Sequence, residues 1–218
     1  MIRLSLKFGI LGLLSKWNAT GYEIKKEFDD YMSIFWHSHL SQIYPELNKL
    51  EKEGLIEGKT ITQIGKPDKK VYEINEAGAD QLREWLLAKQ DEPKIKDPFL
   101  MQVFFMDNIS ADDVIFQLKS YRKEREKRLL KLQQIMRDSW ESIKEREAMS
   151  SRVVMATAVL KKGIDEEINY IKWCDETIEL VEAFKDVWDD DLQATKKMDF
   201  ATFEEQLIQY GALKALGE

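Results

Sequence analysis

Apolar residues in the first fifty positions recur with helical spacing in three short blocks. Residues 3–16 are apolar on most sides, the mark of a helix enclosed by a small domain. Asn18 and Thr20 offer capping chemistry for a second helix over residues 20–32, which places Tyr22, Ile24, Phe28 and Met32 at helical intervals. After a linker at residues 33–38, Leu40, Ile43, Leu47 and Leu50 repeat at i, i+3, i+7 and i+10, and Gly54 stands where a helix-ending glycine belongs. The period then changes. Residues 56–64 and 71–74 are rich in β-branched side chains and flank a Gly-Lys-Pro-Asp-Lys turn, which predicts a β-hairpin with a basic tip. Asn75 opens a fourth helix over residues 76–89. Three helices, a hairpin wing and a fourth helix make a winged helix-turn-helix.

Beyond the linker "QDEPKIKDP" the pattern belongs to longer helices. Residues 99–106 form a short apolar helix, and Ser110, Asp112 and Asp113 open a long one striped by Leu118, Tyr121, Leu129, Leu132, Met136, Trp140 and Ile143. From Val153 a second stripe runs through Leu160, Ile164, Ile168, Ile171, Cys174, Ile178 and Val181, close to a heptad seam over about four heptads. Two long helices with one-sided stripes bury too little on each other, so a homodimer is expected. Its candidate interface is Leu129, Leu132, Met136, Trp140, Leu160, Ile164, Ile168, Ile171 and Ile178. The expected fold is mainly α, with a winged helix at residues 1–90 and a helical dimerisation domain at 91–218. From about residue 184 a tail holds one or two short helices that dock on a core or on a partner subunit.

Charge changes this picture, because the net −7 is not evenly spread. Residues 1–90 carry 13 Lys and Arg against 13 Asp and Glu, so all the excess acid lies in the second part. The wing is locally basic, with Lys59, Lys66, Lys69 and Lys70 against Asp68. A local patch is what phosphate contacts need. The apolar run at residues 8–14 is too short to span a bilayer and lacks a cleavage site, and Cys174 has no partner for an intramolecular disulfide. A cytoplasmic protein with no membrane association is expected. No nucleophile–base pair, phosphate loop or metal cluster stands out, so neither enzyme activity nor a cofactor is expected.

Several residues invite sharper readings that the pattern does not favour. His37 and His39 form a His-x-His pair, but without further soft ligands they fit a helix start or surface better than a metal site. Cys174, on the apolar stripe, reads as a small buried hydrophobe rather than a redox switch. Trp140, Trp173, Trp188, Phe99, Phe104 and Phe105 are read as core before a flat effector site. In "KSYRKEREKRLLK" the acids Glu124 and Glu126 alternate with bases, as on a solvated helix face.

The run "SQIYPELNKLEKEGLI", followed by "GKPDKKVYEINEAG" and preceded by "GYEIKK", resembles the PadR family of bacterial transcription regulators over about residues 5–88. The stretch "LREWLLAKQDEPKIKDPFLMQVFFMD" leading into "LKSYRKEREKRLLKLQQI" resembles the virulence-activator α-helical C-terminal domain of the AphA-like, long-tailed subgroup, to about residue 183. The resemblance implies a homodimeric repressor on a pseudo-palindromic DNA operator, relieved by a small-molecule effector, although some members activate. It places the third helix in the major groove, with Ser41, Gln42, Tyr44, Asn48 and Lys49 reaching bases and phosphates. Lys66, Lys69 and Lys70 would take neighbouring phosphates or the minor groove. The chemistry agrees: short amides pair with an adenine edge, lysines hold the backbone, and Thr20 and Gly21 at a helix start offer N–H groups to a phosphate, with Tyr22 beside them a further DNA-binding candidate.

Pro45 falls in the first turn if the helix starts near Ser41, and kinks it if the helix starts at His37. Lysines and an aspartate stand where many relatives carry arginine, and the last 35 or so residues have no counterpart. A helical interaction protein whose winged helix no longer binds DNA is therefore the alternative.

Overall fold

The structure, a computed structural model, describes residues 6–30, 32, 40–63, 65, 67–90, 92, 96–146, 150–186, 188 and 200–211. The chain divides into two compact units, Met1–Lys94 and Ile95–Glu218.

The first unit runs α1 (Leu6–Leu14), β1 (Ala19–Thr20), α2 (Gly21–Asp30), α3 (Leu40–Lys52), β2 (Ile56–Ile61), β3 (Lys69–Ile74) and α4 (Glu76–Leu87). It is the winged helix-turn-helix that the periodicity predicts, with one addition. The two-residue strand β1 joins the hairpin to give the antiparallel order β1-β3-β2, with Ala19 opposite Tyr72 and Ile56 opposite Ile74. Ile10, Leu11, Leu13 and Leu14 are buried around α1, against Ile24 and Phe28 of α2, Ile43, Leu47 and Leu50 of α3, and Ile56, Tyr72 and Leu82. Phe8 stacks on Trp85, ring centres 4.7 Å apart.

The helix ends follow from local chemistry. Thr20 and Glu23 form a reciprocal capping box at α2: Glu23 N–H donates to Thr20 Oγ1 at 3.2 Å, and the Glu23 carboxylate accepts from Thr20 N–H at 2.7 Å. At the exit of α3, Leu55 N–H donates to the Leu50 carbonyl and Gly54 N–H to that of Glu51, a Schellman closure with Gly54 at φ 70°. Gly54→Ala meets no neighbour, so only the left-handed backbone opposes it. Its expected cost is about 1 kcal/mol, checked by urea unfolding.

Pro45 lies inside α3, in the second turn of the described helix rather than its first. It therefore removes the N–H that would reach the Ser41 carbonyl. Burial of Ile43, Leu47 and Leu50, each at most 1% exposed, outweighs that loss.

The second unit contains α5 (Pro98–Val103), a 3-10 turn (Met106–Asn108), α6 (Ala111–Arg146), α7 (Ser151–Ala183) and α8 (Phe200–Tyr210). Ser110 Oγ accepts from Asp113 N–H at the start of α6, and Ser150 Oγ accepts from Val153 N–H at the start of α7. The cross-pairs Arg122–Asp175 and Arg125–Glu167 show that α6 and α7 run antiparallel. Phe99, Met106, Val114, Ile115, Leu118, Ile178 and Val181 form one core. The tail helix α8 docks on α7, where Thr177 Oγ1 and the Tyr210 hydroxyl lie 3.3 Å apart.

One polar cluster ties the start of this unit to its hairpin. Arg125 lies with its guanidinium 3.8 Å from the Tyr170 ring centre and donates to the Tyr121 hydroxyl at 2.7 Å. It also donates to both oxygens of Glu167, which Arg128 approaches at 2.9 Å. Glu167 is only 2% exposed. The stretch read as a solvated face thus splits: Lys123, Glu124 and Lys127 are exposed, while Arg122 and Arg125 pair across to α7, because i and i+3 positions share one side of a helix.

Asp97 caps α5 by accepting from Phe99 and Leu100 N–H at 2.9 and 3.1 Å, and its other oxygen accepts from the Tyr170 hydroxyl at 2.9 Å. Burial alone would raise its pKa; the backbone donors, the Tyr170 hydroxyl and the Arg125 charge together hold it below the ordinary 3.8. Stability from this carboxylate is fully present above the unfolded value and lost as pH falls through the depressed folded one. Asp97→Asn should flatten the fall in melting temperature below about pH 4; an unchanged acid limb would reject the linkage.

Candidate nucleic-acid interface

The same periodicity that buries one side of α3 turns the other outward. Ile43, Leu47 and Leu50 face the core, whereas Gln42, Tyr44, Asn48 and Lys49 are exposed, and Ser41 lies in the first turn. Gln42 and Asn48 carry amides suited to paired hydrogen bonds on a base edge. Tyr44 is 48% exposed and its ring rests on Gly21 at the start of α2. A Cβ at Gly21 would lie 2.5 Å from Tyr44 Cε1, so the glycine makes room for the ring. Tyr22 is exposed beside it in sequence. Thr20 is less available than its place at a helix start suggests, since its N–H and hydroxyl both donate to Glu23. Those bonds, the backbone one first, hold the Glu23 carboxyl below its ordinary pKa despite partial burial, with the Lys69 charge adding to them.

On the wing, Lys69 is exposed at the start of β3, and Lys66 lies outside the described residues. Lys70 leans across to α3: its ammonium donates to Glu51 at 2.7 Å and sits 5.1 Å from the Tyr72 ring centre. Lys59 pairs with Glu73, which also accepts from Asn18. Hydrogen bonds to Glu51 and Glu73 raise the pKa of Lys70 and Lys59, so both stay charged. Lys49 is held more loosely, 3.8 Å from Glu46 and Glu53. None of these acids stands out in the sequence pattern. Glu73 carries a weak signal, since it stands on the strand face beside the basic residues; Glu51 carries none, because only folding brings it to the wing.

In the second unit the residues assigned to a dimer seam divide by burial. Leu132, Leu160 and Ile178 are already buried within one chain. Leu129, Met136, Ile164 and Ile171 are half-buried, and Trp140 and Ile168 are exposed at 60% and 46%. Leu130, Val154, Met155, Phe104, Phe105 and Phe116 are also exposed. A groove of about 520 Å³ lies between α5 and α6, lined by Phe99, Gln117, Ser120 and Tyr121 among others. Burial pushes the Cys174 thiol up to about 11, in keeping with a buried hydrophobe. Among the described residues no group of three or more His, Cys, Asp and Glu could hold a metal ion, and no helix is long and apolar enough to cross a membrane. His37 and His39 lie outside them.

Residues 10–84 match the model of the transcriptional regulator PadR-like family, and residues 95–182 that of the virulence activator alpha C-terminal domain. The chain is 33% identical over 181 residues to the negative transcriptional regulator PadR of Bacillus subtilis, covering 81% of this chain and 97% of that one. The structure of that regulator with operator DNA superposes with a TM-score of 0.71 at 32% identity, covering 81% of this chain and 98% of the other. Its complex with p-coumaric acid gives 0.67 at 31% identity, with the same shares. The Vibrio cholerae virulence activator AphA gives 0.65 at 27% identity, covering 83% and 99%. These relatives are regulators of transcription rather than enzymes, and the chain belongs to the PadR-like family of transcriptional regulators.

Proposed function

We propose that this protein is a cytoplasmic homodimeric repressor that covers a pseudo-palindromic operator and leaves it when a small molecule binds. The observation that carries the reading is the outer face of α3, where Gln42, Tyr44, Asn48 and Lys49 stand exposed opposite a fully buried face. Ser41 and the exposed Lys69 extend that surface, and Lys66 is assigned to it from the sequence. Thr20, Gly21 and Tyr22 border it, and Lys70 is paired with Glu51. Two such helices in a dimer enter successive major grooves about 34–36 Å apart.

The partner subunit covers α6 and α7. Trp140 and Ile168 are large apolar side chains exposed on long helices, as are Leu130, Val154 and Met155, and soluble monomers seldom leave such surface open. Leu129, Met136, Ile164 and Ile171 border them, and Leu132, Leu160 and Ile178 support the seam from beneath. Sedimentation at micromolar concentration should show a dimer that Trp140→Asp with Ile168→Asp converts to monomer. A wild-type monomer would contradict it.

The function is tested by fluorescence anisotropy with duplex from immediately upstream of the protein's own coding sequence, against scrambled duplex, over several salt concentrations. The expected preference is about a thousandfold, and equal affinities would argue against sequence-specific control of that site. The complex of the Bacillus relative makes p-coumaric acid the first effector to try. Release of DNA by it supports the effector step, and full retention removes that ligand. A helical interaction protein is the second reading, favoured by the pairing of Lys59 and Lys70 with acids. Absence of binding even at low salt would select it.

A further inference from the structure

Lys70 reaches across the wing to α3 instead of standing free at the hairpin, with its side chain still 39% exposed, and the path it takes is built by three other residues. It sits on β3 opposite Thr60, and its side chain crosses β2 over Gly58 to reach Glu51 near the end of α3. A Cβ at Gly58 would lie 2.1 Å from Lys70 Cε and 2.7 Å from a Glu51 carboxylate oxygen. Glycine there is what opens the slot. Tyr72, two residues along the same strand face, adds its ring 5.1 Å from the ammonium.

We infer that Glu51 is a positioning residue of the DNA-binding surface: it holds Lys70 in the Gly58 slot, withholds that cation from phosphate, and thereby limits sequence-independent binding. This rests on the DNA-binding reading above. An ammonium already matched by a carboxylate brings no net charge to the duplex and releases no counterion. For Lys70 to reach a phosphate, the pair must break and leave Glu51 uncompensated beside a polyanion. The exposed lysines contribute to binding of any duplex, whereas the paired one contributes to none. Glu51 therefore lowers the sequence-independent part of the affinity, for operator and non-operator duplex alike, without touching a base.

The test measures anisotropy with operator and scrambled duplex against salt concentration, for wild type, Glu51→Gln, Lys70→Met, Gly58→Ala and the Glu51→Gln/Lys70→Met double variant. Glu51→Gln should raise affinity for scrambled duplex roughly three- to tenfold and steepen the salt slope by about 0.9, one additional phosphate. Gly58→Ala should move the slope the same way by expelling Lys70. The double variant, which removes both charges, should return the slope to its wild-type value, and Lys70→Met alone should weaken binding by leaving Glu51 uncompensated beside the duplex. A clasp that only stabilised the fold would change melting temperature and leave every slope alone, which would overturn the inference. A slope for the double variant shallower than that of wild type would overturn it too, by showing that Lys70 meets phosphate in the complex. Failure of the wild-type chain to bind any duplex is a separate result and would remove the DNA-binding reading with it.

Discussion

Glu167→Ala should destabilise the helical unit by about 3–5 kcal/mol, the cost of leaving a buried ionic partner unmatched. Glu167 lies 2.9 Å from Arg128 and within hydrogen-bonding distance of Arg125, itself flanked by Tyr121 and Tyr170. Removing the carboxylate takes from Arg125 its nearest acid, leaving it Asp97 at 3.8 Å and the Tyr121 hydroxyl, and Arg125 has little exposed surface on which to recover water. Arg125 Nε is already buried without a hydrogen-bond partner, so the site has little spare capacity to compensate. Thermal and urea unfolding of the whole chain report the loss. The double replacement Arg125→Met with Glu167→Leu should recover much of it, because an apolar pair no longer needs matching. A single-variant cost under about 1 kcal/mol would place the cluster among screened surface pairs.

Tyr44→Ala should lower operator affinity about 10- to 100-fold, in the range set by losing one specific contact. The ring rests on Gly21 and is half exposed, so truncation removes a positioned aromatic from the surface without opening the core. Melting temperature and dimerisation should be unchanged, which separates this effect from unfolding. Lys69→Ala is the contrasting variant: it should weaken operator and scrambled duplex alike and reduce the salt slope by about 0.9. Unchanged affinity in both variants would reject the assigned surface.

The sequence made α3 legible because its signals are local: Leu40, Ile43, Leu47 and Leu50 set the face, and Gly54 ends it. The wing was legible through β-branched runs around a Gly-Lys-Pro-Asp-Lys turn. Strand β1 was not, since two residues carry no period and exist as a strand only through pairing with Val71 and Tyr72. The pairing of Lys70 was hidden for the same reason: Glu51 and Gly58 meet it only after the helix and both strands are in place. Arg125 was misjudged because alternating charge in one helix does not reveal which side a second helix will cover. In the candidate seam, the stripes of the two long helices marked Leu132 and Leu160 as apolar positions, but burial within one chain absorbs them and leaves Trp140 and Ile168 outside.

The burial of Cys174 makes the protein its own reporter. This one cysteine is fully enclosed, and burial followed by the charge of neighbouring Asp175 keeps it protonated at neutral pH, with Arg125 and Arg122 only partly offsetting them. A thiol reagent reacts with the thiolate and needs access. Labelling of the unmodified protein therefore proceeds only when the packing around α7 opens, and its rate is a clock for that opening. Bound DNA or an effector that tightens the helical unit would slow the clock, and the change can be followed by mass alone.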